Sequence, residues 1–495
     1  MREIVVGLTL PGLLDQLEAA KRQFEPGAAA HTAKLLATIG RRRFPDAPSL
    51  IRFHESLLFF RAYPANEEIR HLAERLLASF QNRIASLRRV GRDLEPFEEP
   101  DVSGISGTAF SAIFTYDIAR WLAAHHPTRV DIDWDSTDPT LLGPLLRRLH
   151  PFFAEDLLVE ANIPYMDWFR AAKKGRGTDL QWLSSRIEHF SLKPEERSEL
   201  YAGAKIAIRW ELGHGPMTRS NLSLPGVRKF FYHDGPLLRR ADVSLAAELE
   251  SPTLPIRKLS RARGEQLLDL ARETSAMRYR ELHGFTYGDP AHVIHTELGR
   301  GVEVFVTGIP PEHRLPLRAY HAGMFFKNAV PIGYIECLTL FDRMEVGFNL
   351  YYTFREGETA WLYACLLHLF RQLLGVNYFA VDPYQIGLHN DEAIDSGAFW
   401  FYRKLGFRPT DPKVAHLLES EEKKLKADPN YRTRPGTLRR LAAGWMIYET
   451  PGARPGKWDN FEVRRMAMRL PEGVRQKTDR SEKWLLARIS AGVNP

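Results

Sequence analysis

Between residues 302 and 354 the chain passes through VEVFVTGI, YHAGMFFKN, VPIGYIECLTLF and RMEVGFNLYYTF. These are short runs rich in β-branched and aromatic residues, parted by turn-type breaks such as Lys327-Asn328. Four such runs in succession require a sheet, laid down as a meander. The next three segments narrow the fold further: a long apolar helix, AWLYACLLHLFRQLLG, closed by Gly375, then a strand, NYFAVDPY, and a second helix, SGAFWFYRKL. Strands in a meander, then helix, strand and helix, give an α/β or α+β domain built on a mixed sheet.

The chain before this region has a different texture. SLIRFHESLLFFRAYPANEEIRHLAERLLASFQNRIASLRR places apolar residues at helical spacing, broken at Tyr63-Pro64 and restarted after Ala65-Asn66. SGTAFSAIFTYDIARWLAAHH and TLLGPLLRRLHPFFAEDLL continue the helical character, and few runs alternate with period two. Pro and Gly clusters lead to a linker near 251–256. The expected organisation is a mainly α-helical domain over 1–250, a sheet domain over 257–415, and a basic, partly helical extension over 416–495. At 495 residues the chain exceeds what one core holds, in keeping with several domains.

Composition excludes several classes. No run of about 18 uncharged apolar residues is present, so no membrane span is expected. The start, MREIVVGLTLPGLLDQLEAAKRQF, is interrupted by Pro11 and Asp15 and reads as no secretory signal. Cys337 and Cys365 lie in apolar segments without metal-ligand spacing, so buried thiols in a reducing, cytoplasmic compartment and no metal are expected. The net charge of +7 is concentrated late, with 14 Lys+Arg against 6 Asp+Glu in residues 431–495. Such a segment either meets phosphates, of RNA or of a nucleotide cofactor, or is a solvated helical tail.

The segment from Glu345 to Phe407 concentrates groups able to do chemistry. Alternation along MEVGFNLYYTF puts Glu345, Gly347, Asn349 and Tyr351 on one strand face, and Val346, Phe348, Leu350 and Tyr352 on the other. FREGETAW sets Gly357 at a strand-to-helix turn, with Thr359 as the expected N-cap, where backbone N–H groups converge and favour an anion. Helix AFWFYRKL ends at Gly406, a natural C′ glycine, so Phe407 is expected to contact Tyr402. Ala398, Phe401 and Leu405 are expected to form its core stripe, with Tyr402 turned to a cleft.

GFNLYYTFREGETAWLYACLLHLFRQLLG, NYFAVDP and SGAFWFYRKLGFRP together resemble the core of the GNAT superfamily of N-acyltransferases, over roughly residues 300–410. The resemblance implies a mixed sheet whose fourth and fifth strands splay at a β-bulge, with acetyl-CoA or another acyl-CoA wedged between them. It implies that Gly357 and the amides of Glu358, Thr359 and Ala360, with Arg355, bind the donor's pyrophosphate. Glu345 stands where family members keep a general base, and Tyr402 where they keep the acid that protonates the departing thiolate. Asn390 or Asp395 stands near the position of a cofactor-contacting Asn. The chemistry suits these residue types: an amine must lose a proton before attack, and the thiolate must gain one.

The chain also departs from the family pattern. Glu356 and Glu358 flank the turn glycine, and carboxylates favour a helix N-terminus on their own account. Asn390 lies twelve residues before Tyr402, and Asp395 carries the wrong charge for a phosphate neighbour. Each candidate also has a plainer role: Tyr402 as packing, Glu345 as a solvent-facing strand residue, Gly357 as a loop glycine. Glu336, in GYIECL, is the second candidate base, whereas His321 and His389 read as structural or surface residues. HHPTRVD (His125 to Asp131) nearly matches an HHxxxD acyltransferase motif, but its Asp is one residue late. GISGT (Gly104 to Thr108) lacks the flanks of a dinucleotide site.

The function expected is acyl transfer from an acyl-CoA to a small-molecule or peptide amine, with the helical half shaping the acceptor site or mediating a homodimer. Two alternatives stand beside it: aminoacyl transfer from a charged tRNA, favoured by the basic segment and the acidic turn, and a non-catalytic GNAT-like module that binds a ligand or partner.

Overall fold

A computed structural model describes residues 9–461, apart from 152, 153, 161, 174, 176 and 191. The first eight residues, and the part of the basic segment beyond 461, lie outside the described residues. The chain divides into two units. One is formed by Met1–Arg228, Tyr232–Asp234 and Gln266–Thr286, the other by Lys229–Phe231, Gly235–Glu265 and Tyr287–Pro495.

Helices α1 (Leu10–Ala20), α2 (Ala28–Gly40), α3 (Ala47–Ala62), α4 (Glu67–Ala78) and α5 (Phe80–Arg89) open the first unit. Their ends follow local chemistry. The Asp46 carboxylate accepts the Ser49 amide at 2.8 Å and starts α3. Tyr63-Pro64 ends that helix, and Asn66 starts α4 by accepting the Ile69 amide at 2.9 Å. Helix α3 is buried on nearly all sides from Phe53 onward, and its His54 and Glu55 find their partners internally. His54 Nε2 lies 2.9 Å from Ser220 Oγ and Nδ1 lies 3.0 Å from Glu55 Oε1, while Arg219 donates to Glu55 Oε2 at 2.6 Å. The order serine, histidine, carboxylate is that of a hydrolytic triad. Here Ser220 Oγ also accepts the Ser106 amide at 3.1 Å, and Ser220 and His54 are 1% and 0% exposed. The network therefore staples the core, and burial holds His54 below the usual histidine range.

The first unit also contains a sheet that helical periodicity did not announce. Strands β1 (Ala109–Ile113), β2 (Val130–Ile132) and β3 (Ala207–Glu211) pair antiparallel with β3 in the centre. They are too short, and too far apart in sequence, to show a period. The GISGT loop leads into β1 with Gly104 and Gly107 at φ +99° and +89°, and a Cβ on Gly107 would meet Gln81 Cα at 2.8 Å. These glycines serve a tight backbone approach. HHPTRVD runs into β2, and its His126 ion-pairs with Glu273 at 3.1 Å.

The second unit is a nine-stranded sheet of order β11-β12-β10-β9-β8-β7-β6-β5-β4. Its members are β4 (Ile256–Lys258), β5 (Val293–Gly299), β6 (Val302–Thr307), β7 (Ala319–Lys327), β8 (Val330–Leu340), β9 (Arg343–Leu350), β10 (Tyr378–Val381), β11 (Arg408–Pro409) and β12 (Met446–Glu449). Strands β4 to β9 form an antiparallel meander, of which β6 to β9 are the four runs expected. Two limits differ from those expected of the sequence. Strand β12 inserts between β10 and β11, so the sheet draws on residues well past 416. Residues Gln266–Thr286, which include most of helix α6 (Arg261–Ala276), group with the first unit.

Helix α7 (Thr359–Leu374) joins β9 to β10 and ends at Gly375, whose φ of +65° is the left-handed cap expected there. It covers the sheet face carrying Phe348, whose ring lies 5.0 Å from that of Tyr363. Cys337 and Cys365 are buried free thiols, pushed up by that burial. Helices α8 (Asp391–Asp395), α9 (Ala398–Lys404), α10 (Pro412–Ala427) and α11 (Pro435–Leu441) complete the unit. Among the described residues no helix is long and apolar enough to cross a membrane.

Candidate active site

Strand β9 outruns its parallel neighbour. The ladder couples Arg343, Met344 and Glu345 to Tyr378, Phe379 and Ala380, and β10 then ends at Val381. Pro383 cannot extend the strand, and the Asp382 carboxylate turns the chain by accepting the Tyr384 amide at 2.8 Å. Val346 to Leu350 therefore pair with β8 on one side and, among the described residues, with no strand on the other. The end of this ladder is not accompanied by the bulge that the resemblance implied. The β8–β9 ladder keeps one register from Gly333↔Leu350 to Leu340↔Arg343, and register shifts fall instead in the β7–β8 and β5–β6 ladders.

Glu345 is the last β9 residue paired with β10, and it is buried. Its carboxylate accepts from Arg343 Nη1 at 2.8 Å and from Arg318 Nη1 at 3.1 Å, so it is neither solvent-facing nor lightly held. Glu336 shares that sheet face, opposite Gly347, and accepts the Tyr320 hydroxyl. Gly347 leaves a recess here: a Cβ on it would stand 3.4 Å from Glu336 O and 3.8 Å from Gln385 Nε2.

Tyr402 reaches the opposite, α7-covered side. The buried stripe of α9 is Phe399, Tyr402 and Leu405, whereas Phe401 is only half-buried, which reverses the expected facing of the two aromatics. The reason is packing, since the Tyr402 ring stands edge-on to Tyr363 at 5.6 Å and to Phe407 at 5.6 Å. The helix end is the one expected. Phe407 N donates to Tyr402 O at 3.2 Å, Gly406 N donates to Arg403 O at 3.1 Å, and Gly406 has φ +105°. Burial pushes the Tyr402 phenol above the ordinary tyrosine range, so it keeps its proton at neutral pH.

At the start of α7 the N-cap is Glu358, not Thr359, which is already helical and donates its hydroxyl to Arg355 O at 3.1 Å. The Glu358 side chain turns away from its own helix and is 2% exposed. Arg300 grips both its oxygens, with Nε 3.0 Å from Oε2; the Leu238 amide donates at 3.2 Å, and Lys327 Nζ lies 3.5 Å away. Arg300 occupies a left-handed φ of +51° between Gly299 and Gly301 in the β5–β6 turn. The expected acidic crowding is thus halved: Glu358 is neutralised inside, and only Glu356 is exposed. Arg355 ion-pairs with Glu392, the Gly357 amide donates to Phe354 O at 2.9 Å, and Ala360 is buried. Asn390 caps α8 through the Ala393 amide at 3.1 Å and donates to Tyr384 O at 3.1 Å, while Asp395 is exposed at the end of that helix.

Burial pushes Lys327 down to about 7, with Glu358 opposing and Arg300 adding to the shift. The unfolded chain holds that proton up to about 10.5, so between those values it binds more protons and the fold gains stability as pH rises. Urea unfolding at pH 7 and pH 9 is expected to show a gain on the order of 1–2 kcal/mol that Lys327→Met lacks. Equal responses of the two proteins would contradict the lowered proton affinity of Lys327 in the fold.

Glu345, Glu336, Tyr402 and the α7 turn stood out in the sequence, whereas Tyr320, Arg318, Arg343, Arg300, Lys327 and Tyr363 did not. Arg343 was within reach, two residues from Glu345 on the same strand face. The others depend on pairing between strands. His389 is exposed in the turn before α8, and His321 packs against Phe370 on α7, pushed down to about 4 by burial. Comparison with protein-family models, with characterised proteins and with solved structures finds no match to this chain.

Proposed function

We propose that the chain is an N-acyltransferase of GNAT type, holding a thioester donor where β9 and β10 part. The observation that carries this is the three-residue β9–β10 ladder, beyond which β9 runs on to Leu350 without that neighbour. Paired strands block passage through a sheet, whereas a parting admits a slender thioester arm between the two faces. The acids lie on one face and Tyr402 on the other, so a threaded thioester carbonyl comes between a base and an acid. Backbone N–H groups on the unpaired edge of β9 are the donors suited to the developing oxyanion.

In this reading Glu336 takes the proton from the amine, directly or through water, because Glu345 is engaged as the counter-charge of two arginines. The amine nitrogen bonds to the thioester carbon, the C–S bond breaks, and the thiolate takes the Tyr402 proton. Holding both reactants at the parting supplies much of the acceleration. The donor's phosphates fall toward the first turn of α7, a helix end that favours anions. Glu358 does not repel them there, since the Arg300 guanidinium offsets its charge. An acyl-CoA, acetyl-CoA included, fits these features, with a small-molecule or peptide amine as acceptor.

Calorimetry with acetyl-CoA and longer acyl-CoAs is expected to show saturable binding below millimolar ligand. No binding at millimolar concentration would remove the proposal. Binding of aminoacyl-tRNA instead, weakening steeply with salt, would put the chain among tRNA-dependent transferases.

A further inference from the structure

Behind the parting, two phenols stand together without hydrogen bonds. Tyr363, on α7, is 0% exposed, and its hydroxyl has no hydrogen-bond partner among the described residues. Its ring lies 5.6 Å from that of Tyr402 and 5.0 Å from that of Phe348, on the stretch of β9 that runs past β10. Phe401 and Phe407 close the cluster at 5.9 and 6.2 Å, and Cys337 on β8 is the other titratable group beside it. An unpaired buried hydroxyl is costly, and phenylalanine would fill the same space without that cost. The hydroxyl therefore calls for a state of the protein in which it is paired.

The proposed reaction supplies one. Tyr402 packs against aromatic rings, and burial makes its phenol a reluctant donor, because desolvation disfavours the phenolate left behind. A second hydroxyl brought from the neighbouring ring to that oxygen would lower the cost of the transfer. We infer that Tyr363 donates a hydrogen bond to the Tyr402 oxygen as it becomes a phenolate, and so acts as a positioning residue for protonation of the leaving thiolate. This rests on the acyltransferase reading. In the step, the C–S bond breaks, the thiolate takes the Tyr402 proton, and the phenolate accepts the Tyr363 hydrogen bond. The proton taken from the amine then returns to Tyr402 through solvent, which restores both phenols.

The test compares wild type, Tyr363→Phe, Tyr402→Phe and the double variant in acyl transfer from acetyl-CoA to a panel of primary amines, alongside thermal unfolding. Tyr363→Phe is expected to unfold at the same or a higher temperature and to keep its KM for acetyl-CoA within about twofold. Its kcat is expected to fall about 10-fold or more, with the alkaline limb of its pH profile displaced. The double variant is expected to be no slower than Tyr402→Phe, since Tyr363 acts only through that residue. An unchanged kcat, losses that multiply in the double variant, or a lower unfolding temperature for Tyr363→Phe would each overturn the inference. Wild-type protein without turnover would remove the acyltransferase reading itself, and this inference with it.

Discussion

Replacing Tyr402 by phenylalanine is expected to lower kcat for acyl transfer by about 100-fold or more, within the range of a lost general acid. The KM for the acyl-CoA should stay nearly constant, because the ring that packs against Tyr363 and Phe407 remains in place. Stability should hardly change: among the described residues no group hydrogen-bonds the Tyr402 hydroxyl, so its removal leaves no partner stranded. The plainer role, a core aromatic at a helix end, predicts no effect of the hydroxyl on rate. Steady-state kinetics and thermal unfolding of the same preparations separate the two. A rate loss accompanied by an equal loss of folded protein would count against the acid.

Replacing Glu345 by alanine is expected to destabilise the second unit by about 3–5 kcal/mol. Arg343 and Arg318 have side chains only 5% and 16% exposed, and both point a guanidinium at this carboxylate. Without it both guanidiniums lose that carboxylate in a largely buried setting. Glu345→Gln should recover part of the loss by keeping the hydrogen-bond acceptor, and the folded fraction of either variant should retain most of its turnover. Glu336→Gln is expected to do the reverse, losing turnover with a smaller change in stability. If Glu345→Gln is fully folded and inactive while Glu336→Gln remains active, the roles of the two acids are exchanged.

Local chemistry was legible wherever a few neighbouring residues decide the outcome. The stop at Tyr63-Pro64, the Asn66 cap, the Gly375 end of α7 and the Gly406-Phe407 closure on Tyr402 each depend on residues within one or two turns. The meander from β6 to β9 was legible because each strand pairs with the next. Pairing across long sequence distances was not. Strands β1 and β3, about a hundred residues apart, give no periodic signal, and nothing in MIYE places β12 between β10 and β11.

The site shows the same division. Helical spacing identified Tyr402 but misassigned its facing, because Ala398, Phe401 and Leu405 form as good a stripe as Phe399, Tyr402 and Leu405. The packing of α9 against α7 decides between them. The acidic turn looked hostile to phosphate because Glu358 was read alone. Its pairing with Arg300 and Lys327, 58 and 31 residues earlier in the chain, changes the charge presented there. Glu345 looked like a free strand carboxylate for the same reason, since Arg318 reaches it from the start of β7.

Hydrogen–deuterium exchange with and without a saturating acyl-CoA tests donor binding at the β9–β10 parting most directly, because it reports where the donor sits and needs no known acceptor. Slowed exchange is expected at Val346–Leu350, at the first turn of α7 and around Ala398–Phe407. Bound donor with protection confined to other segments, or with none in the unpaired stretch of β9, would contradict a donor site at that parting.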